Sequence, residues 1–243
     1  MAGTDLDQTL VLIKPDALKL SMTGYILSQF SETHTGLRFA GMKIVHVHRM
    51  LAEEHYAEHR GKVFYPPLLD YIMGLAHYPD EPHKRRVIAL VYRGPDAVQK
   101  IRDMVGPTNP HVAREKRPGC IRSLGTIVPV RDAAGSVVGE RMDNLIHASA
   151  TVAEAEREIK LWFRPSDIPP AMRVYPVEAC DDHYYFRDGK LLTNHEPGSM
   201  FLLAPGKVAW RSDLEILRQV SGGLPAPGSL ESVAAKYLIN EQS

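Results

Sequence analysis

Two short apolar runs constrain the fold of this chain more than any other feature of its sequence. Residues 8–13 read Gln-Thr-Leu-Val-Leu-Ile, and residues 87–92 read Val-Ile-Ala-Leu-Val-Tyr. Both runs have the length of a strand rather than of a helix, and Lys14-Pro15 ends the first one. We therefore predict a buried strand at each of these two places.

Other patterns predict helices and hairpins. A helix is expected over residues 16–33, before Gly36 breaks the pattern. A second helix is expected over residues 151–163, because Thr151 and Glu154 form a capping-box pattern at its start. Hairpins are expected over residues 131–141, around Gly135, and over residues 184–192, around an Asp-Gly pair.

Length and proline content suggest how the chain is divided. A chain of 243 residues corresponds to one large or two small domains. Prolines 165, 169, 170 and 176 follow the helix that ends near residue 163 and disfavour a further helix there. We predict a main domain over residues 1–165 and an accessory extension over residues 166–243, which folds onto the main domain or onto a neighbouring subunit.

Charge and cysteine content exclude several classes of protein. Lysine plus arginine and aspartate plus glutamate each number 29, so the net charge is zero and gives no global attraction to nucleic acid or to an anionic membrane. No apolar run approaches a membrane span, and the polar N-terminus does not resemble a secretory signal. Cys120 and Cys180 form neither a metal motif nor a disulfide framework. We expect a cytoplasmic protein with no membrane or specific nucleic-acid partner.

Phosphate binding would have to come from a local cluster, because the chain has neither a P-loop nor a Rossmann glycine motif. Arg102, Thr108 and Arg122 lie in or near one polar region and could clamp a polyphosphate. On the pattern alone, solvated arginines are the favoured interpretation.

A histidine offers a possible nucleophile. His147 follows a short apolar segment and precedes the capped helix, in which Glu158 could orient its ring. A buried histidine with a satisfied hydrogen bond is the alternative. His46 and His48 share one strand face, but no third ligand accompanies them, so we predict no metal site in the protein.

Three blocks of sequence, taken together, resemble the nucleoside diphosphate kinase family. The first is Thr9-Leu-Val-Leu-Ile-Lys-Pro-Asp-Ala17, and the second is Gly106-Pro-Thr-Asn-Pro110 followed by Pro118-Gly-Cys-Ile-Arg122. The third is Asn144-Leu-Ile-His-Ala-Ser149 followed by residues 154–163. The resemblance covers about residues 5–170 and leaves the rest of the extension unmatched.

The resemblance implies an α+β fold with a ferredoxin-like βαββαβ core, whose antiparallel sheet is covered by helices. It also implies a ping-pong phosphoryl transfer. His147 would take the γ-phosphate of ATP or another nucleoside triphosphate as phosphohistidine and pass it to a nucleoside diphosphate. Glu158 and Ser149 would support His147, and Lys14 would contact the ribose and the phosphate in transfer.

The nucleotide would be held by side chains that share the task of positioning it: Phe64 and Leu68 at the base, Asn144 at the sugar, and Tyr56, Arg102, Thr108 and Arg122 at the phosphates. Mg²⁺ would bind through the nucleotide phosphates rather than in a protein cage. A kinase-like domain kept as a weakly active binding or scaffolding module is the alternative, and the presence of all these residues favours the enzyme.

The sequence departs from the family pattern in a few places. Ala148 and Ala150 replace the usual glycine and aspartate beside the histidine. The stretches at about residues 77–85, 111–117 and 130–142 are longer than usual. The third leaves open which residue packs under the base opposite Phe64. We expect a homo-oligomer, although the lengthened second stretch weakens the family's hexamer as a guide to subunit number.

Overall fold

The computed structural model describes residues 6–131 and 134–238. Its strands are β1 (Leu6–Ile13), β2 (Arg38–Val45), β3 (Val87–Pro95), β4 (Thr126–Arg131), β5 (Val137–Asp143), β6 (Ile146–Ala148), β7 (Val177–Ala179), β8 (Tyr184–Arg187), β9 (Lys190–Leu192), β10 (Met200–Leu203) and β11 (Val208–Trp210). Its α-helices are α1 (Pro15–Lys19), α2 (Thr23–Gln29), α3 (Glu32–Thr35), α4 (Arg49–His55), α5 (Tyr65–Ile72), α6 (Ala97–Val105), α7 (Pro110–Lys116), α8 (Val152–Trp162), α9 (Arg211–Ser221) and α10 (Leu230–Ala234).

A four-stranded antiparallel sheet in the order β2-β3-β1-β6 forms the centre of the fold. The two predicted strands lie within β1 and β3 and pair directly, with Val11 opposite Leu90. Helices separate β1 from β2 and β3 from β6, so the predicted ferredoxin-like βαββαβ core is confirmed.

Strand β1 is buried on both faces over residues 10–13, and its sequence is apolar there. Leu10 and Leu12 face α4, α5 and α8, whereas Val11 and Ile13 face α2 and α6. Successive side chains of a strand point to opposite faces, so a strand covered on both sides needs apolar residues at every position.

The helix predicted over residues 16–33 is broken in the structure. It forms α1 and α2, separated by Ser21 with a φ of 56°, and α3 begins only at Glu32. A continuous helix cannot pass through a left-handed residue, because such a residue turns the chain out of the helical path. Gly36, with a φ of 67°, ends α3 as the pattern predicts.

Both predicted hairpins form. β4 pairs with β5, and the turn residues 132 and 133 lie outside the described part of the chain. β8 pairs with β9 through Asp188 and Gly189, whose φ values are 50° and 76°. Positive φ at both central residues is the requirement of a tight type I′ turn, which explains the Asp-Gly pair.

The extension builds a small core of its own and also packs against the first 165 residues. Leu202, Leu214 and Val233 belong to its own apolar cluster. Trp210 instead joins the cluster beneath the central sheet, and its Nε1 donates a hydrogen bond to the Phe163 carbonyl at 2.7 Å. The division at residue 165 therefore stays a prediction, because one core cluster contains residues from both sides of it.

Within the described ranges, no helix combines the length and the apolar character that crossing a membrane requires.

Candidate active site

His147 lies on β6 with its ring held from the following helix. Its Nε2 lies 2.9 Å from Glu158 Oε2, and Ser149 Oγ donates to the same carboxylate oxygen at 2.6 Å. Thr151 caps α8 by accepting a hydrogen bond from the Glu154 backbone N–H, which fixes the start of the helix that carries Glu158. With Nε2 engaged, Nδ1 is the ring nitrogen left for chemistry.

The charge on Glu158 is well stabilised. Burial alone would raise the pKa of this carboxyl group, but the neighbouring His147 and the hydrogen bonds from His147 and Ser149 outweigh burial and lower the pKa to about 2. Glu158 is therefore an anion at neutral pH, and its Oε2 can accept from His147 Nε2–H. That hydrogen bond would leave Nδ1 with its lone pair free, which is the form a nucleophile needs.

A second histidine, which the sequence analysis did not single out, packs against His147. The rings of His55 and His147 meet edge to face with their centres 4.6 Å apart. His55 Nδ1 accepts a hydrogen bond from Trp162 Nε1 at 3.2 Å, and burial together with the nearby His147 lowers the pKa of His55 to about 3. His55 is therefore neutral and packs directly against the ring of His147.

His55, His147 and Glu158 also bring potential metal-ligand atoms within 4.8 Å of one another. The hydrogen bonds just described already join these groups to each other and to Trp162. A nitrogen-rich set of this kind does not suit Mg²⁺, which prefers oxygen ligands in octahedral geometry.

Lys14 and Asn144 form a buried polar pair at one end of the site. Lys14 Nζ donates to Asn144 Oδ1, and Asn144 Nδ2 donates to the Thr108 carbonyl at 2.8 Å. Burial lowers the pKa of Lys14 to about 8, although the nearby Asp16 opposes this change. A lysine that has lost its hydration shell gains much from an incoming phosphate.

Arg122 joins the backbone just before His147 to the backbone just before Thr108. It donates to the Ile146 carbonyl at 3.1 Å and to the Gly106 carbonyl at 3.0 Å, and its Nη1 lies 3.4 Å from Thr108 Oγ1. Burial, and then the positive charge of Arg102, lower the pKa of Arg122 to about 10, so it stays charged at neutral pH. The charges of Arg102 and Arg122 repel each other, so both side chains favour an anion between them.

The backbone before His147 is strained. Leu145 is fully buried and has a φ of 70°, and the Ile146 N–H donates to the Asn144 carbonyl at 2.8 Å across it. Asp16 Oδ2 accepts from the Leu145 N–H at 2.8 Å and holds this three-residue turn in place. Such turns are rare for residues other than glycine and occur where surrounding contacts impose them, often at functional sites.

The remaining predicted site residues lie around this network rather than within it. Tyr56 follows His55, with ring centres 4.5 Å apart, and burial followed by the charge of Glu158 raises its pKa. Phe64 is exposed just before α5, Leu68 is half-buried on α5, and Arg102 is exposed on α6. The structure therefore forms two groups of predicted site residues. Direct contacts join Lys14, Asn144, Thr108 and Arg122 in one group, and His147, Ser149 and Glu158 in the other. The Arg122 hydrogen bond to the Ile146 carbonyl reaches the residue before His147, and Tyr56 packs against His55.

Sequence reasoning missed the buried partners of these residues. Tyr71 lies with its ring 4.3 Å from Lys14 Nζ, and Asp143 precedes Asn144 and pairs with His77 at 3.0 Å. Asp16 lies within the first quoted block and His55 directly precedes Tyr56, so proximity in sequence was an available signal for them. His77 is 66 residues from its partner Asp143, and no local sequence pattern predicts that pairing.

A cavity of about 400 Å³ lies elsewhere, between α8 and the extension. It is lined by Glu54, Arg157, Lys160, Ser212 and Ser229, among others. Lys160 pairs with Glu156, and Arg157 donates to the backbone carbonyls of Glu54 and His55. The cationic groups of this cavity are therefore already engaged by protein groups.

Comparison with known proteins identifies the family. The sequence profile described as nucleoside diphosphate kinase matches residues 7–168. The chain belongs to the nucleoside diphosphate kinase family. The nucleoside diphosphate kinase of Thermococcus kodakarensis is 38% identical over 168 residues, which are 69% of this chain and 83% of that protein. Membership makes this chain a nucleotide-binding phosphotransferase of the kinase class.

Solved nucleoside diphosphate kinases also share its fold. The enzyme from Aquifex aeolicus aligns with a TM-score of 0.53 at 27% identity, over 68% of this chain and 99% of that one. A transition-state mimic of the Borrelia burgdorferi enzyme, with bound vanadate and ADP, aligns with a TM-score of 0.52 at 27% identity, over 68% of this chain and 90% of that one. The family match ends at residue 168, three residues into the predicted extension.

Proposed function

We propose that this nucleoside diphosphate kinase works through a phosphohistidine on His147, with a nucleoside triphosphate as donor and a nucleoside diphosphate as acceptor. The observation that carries the proposal is the His147–Glu158–Ser149 chain of hydrogen bonds, set beside the Lys14–Asn144 pair and Arg122. The solved relative with vanadate and ADP bound supports nucleoside diphosphates as ligands of this fold.

In the proposed mechanism, Nδ1 of neutral His147 attacks the γ-phosphorus of ATP or another donor. The N–P bond forms as the bond to the β,γ-bridging oxygen breaks, and the nucleoside diphosphate leaves with that electron pair. A second nucleoside diphosphate then attacks the phosphohistidine and returns His147 to its neutral form. Glu158 stabilises the positive charge that the ring gains when it carries the phosphoryl group.

The surrounding residues supply position and charge. Lys14, Arg102 and Arg122 are proposed to neutralise the phosphate oxygens, and Thr108 is proposed to donate to them. Asn144 is proposed to bind a sugar hydroxyl, and Tyr56 to lie beside the phosphate in transfer. Phe64 is proposed to stack on the base with Leu68 beside it, and stacking of this kind accepts every base.

Mg²⁺ fits this arrangement as a partner of the nucleotide, not of a protein cage. The cluster around His147 offers nitrogen ligands that are already hydrogen-bonded, whereas the proposed phosphate-binding residues are cations or neutral donors. Bound through the phosphates, the ion would supply neutralising charge that adds to that of the two arginines.

The alternative, a weakly active nucleotide-binding or scaffolding module, is disfavoured by the hydrogen-bonded geometry of the nucleophile. The test is incubation with γ-labelled ATP. We expect label on the protein that is stable to alkali and labile to acid, and that ADP removes as labelled ATP. Binding of ADP without any such label would support the module instead.

We expect kcat/KM for a nucleoside triphosphate donor, which meets the unphosphorylated enzyme, to fall as the pH rises through about 8. Burial lowers the pKa of Lys14 to about 8, so the amine is charged below this pH and neutral above it, and only the charged form attracts phosphate. Lys14→Arg should remove this decline, because a guanidinium stays charged. The measurement is a pH profile of kcat/KM for both proteins, and a wild-type profile that stays flat to about pH 9.5 would contradict the assignment.

We also propose that the enzyme is a homo-oligomer that uses the free edge of β2. Phe39, Met42 and Ile44 are exposed on this edge strand, where unpaired backbone and apolar side chains favour association. Met42→Glu should lower the subunit number measured by light scattering. Lys190→Glu, at an exposed position of the extension, is the control and should leave it unchanged.

A cytoplasmic location is proposed as well. Cys120 and Cys180 are both free thiols in the structure, as a reducing compartment would keep them.

A further inference from the structure

A buried charge cluster lies directly beside the proposed nucleotide site and takes no part in the mechanism above. The Asp143 carboxylate receives three hydrogen bonds. Arg141 Nε and Nη2 donate at 2.7 and 3.0 Å, and His77 Nε2 lies at 3.0 Å. Asp143 and His77 are both almost fully buried. We call these three residues the Asp143 cluster.

The cluster joins two parts of the chain that are far apart in the sequence. His77 lies between α5 and β3, and Arg141 lies on β5. Lys19 Nζ donates to the His77 carbonyl at 2.9 Å, so His77 is also tied to the end of α1. Two distant segments therefore meet at one carboxylate next to the site.

Asp143 precedes Asn144, and the contacts of Asn144 depend on where this backbone lies. Asn144 accepts from Lys14 and donates to the Thr108 carbonyl. On the opposite side, a Cβ at Gly125 would come within 2.5 Å of the Asp143 carbonyl, so the backbone is closely packed there too. The Asp143 side chain and this backbone contact both restrain the backbone that leads into Asn144.

Tyr71 extends the connection to Lys14. Its ring lies 4.3 Å from Lys14 Nζ and 5.1 Å from the centre of the His77 ring. A displaced His77 would therefore disturb the Tyr71 ring, against which the Lys14 amine packs. His147 is held separately by Glu158, on another element of the fold.

We propose that Asp143, held by His77 and Arg141, is a positioning residue that sets Asn144 and Lys14 for the sugar of the nucleotide. The inference rests on the proposed function for the identity of the ligand. It assigns to His77 and Arg141 a common task, which is to support the sugar-binding side chains through Asp143.

The cluster also explains how an acidic residue is tolerated so close to a phosphate site. Burial would raise the pKa of Asp143, but the hydrogen bonds from His77 and Arg141 outweigh it and lower the pKa to about 2. The carboxylate is ionised, yet both of its oxygens are turned to donors within the protein. Loss of either donor would leave more of its negative charge to act on the nucleotide.

The test is calorimetric binding of ADP and of dideoxy-ADP, which lacks the sugar hydroxyls, to the full-length protein and its variants. We expect Asp143→Ala to weaken ADP binding roughly tenfold or more, from the loss of buried charge-assisted hydrogen bonds. We expect a much smaller loss for dideoxy-ADP, because Asn144 no longer has a hydroxyl to bind. His77→Gln, which keeps a donor, should retain more of the preference for ADP than His77→Leu.

Glu140→Ala is the matched control, because it removes a negative charge from an exposed neighbouring position on the same strand. It should leave both affinities unchanged. If the Asp143→Ala protein does not fold, Asp143→Asn replaces it in the test. Its affinity for ADP should also fall by more than its affinity for dideoxy-ADP.

Equal losses for the two ligands would overturn the proposal, since a merely structural role would weaken both alike. Unchanged affinities in a folded Asp143 variant would overturn it as well. Failure of the proposed function gives a different result, because a wild type that binds ADP but forms no phosphohistidine would still show the sugar-dependent effect.

Discussion

Replacing His147 by alanine is expected to abolish formation of the phosphoenzyme while leaving ADP binding largely intact. The physical reason is that no other described side chain combines the engaged Nε2, the buried anionic partner Glu158 and a neighbouring Lys14–Arg122 pair. Removal of a nucleophile that forms a covalent intermediate typically costs several orders of magnitude in rate. The measurement is single-turnover transfer from γ-labelled ATP, together with ADP binding by calorimetry.

His46→Ala is the matched control for this experiment, because His46 is exposed just after β2 and has no part in the site. It should transfer phosphate at the wild-type rate. If the His147→Ala protein still acquired acid-labile phosphate at a normal rate, another group would be the nucleophile and the assignment would be wrong.

The sequence predicts the partners of His147, the proposed nucleophile, because they are near it in the chain. Glu158 and Ser149 lie within eleven residues of His147, and a strand followed by a capped helix brings such residues together by local geometry alone. The strands of the core were equally clear, because burial on both faces of a sheet leaves an uninterrupted apolar signature in the sequence.

The supporting residues could not be predicted in the same way. His77 and Asp143 are 66 residues apart, and Lys14 and Asn144 are 130 residues apart. Such pairs form only when tertiary folding sets the two segments side by side, and single-sequence periodicity carries no information about that. The Lys14–Asn144 pairing was anticipated only insofar as family resemblance placed both residues at the nucleotide.

Local structure also escaped where tertiary contacts override propensity. Residues 16–33 have helical character, yet Ser21 adopts a left-handed conformation that splits the helix. Met22 lies directly after it and packs against the cluster that contains Ile26 and Phe30. The break therefore follows the demands of packing against the sheet, which no propensity scale includes.

The extension is expected to stabilise the kinase core, and Trp210 is the residue that tests this most sharply. Its side chain is fully buried among residues of the central sheet and α8, and its ring centre lies 6.3 Å from that of Tyr175. The Nε1 hydrogen bond to the Phe163 carbonyl joins it to the end of α8, which carries Glu158 earlier along its length.

Trp210→Ala should lower the free energy of unfolding by about 3–5 kcal/mol, the usual cost of removing a buried aromatic side chain. That is a large part of the about 5–15 kcal/mol that a domain has in total. Trp210→Phe should cost less, about 1–3 kcal/mol, because it keeps much of the apolar contact and loses the hydrogen bond and part of the ring. Denaturant unfolding monitored by fluorescence of the remaining Trp162 provides the measurement.

Leu202→Ala separates an independent extension from a coupled one, because Leu202 lies in the extension's own core cluster and not in that of the sheet. If the extension is a structural part of the kinase, phosphotransfer in the Trp210→Ala protein should be lost on heating in the same transition as the Trp162 signal, at a temperature well below that of the wild type. On heating, the Leu202→Ala protein should lose the structure of the extension first. It should keep phosphotransfer to a higher temperature than the Trp210→Ala protein does. A Trp210→Ala protein with wild-type stability would show instead that residues 166–238 only rest on the core, and then truncation near Pro170 would leave a folded, active enzyme.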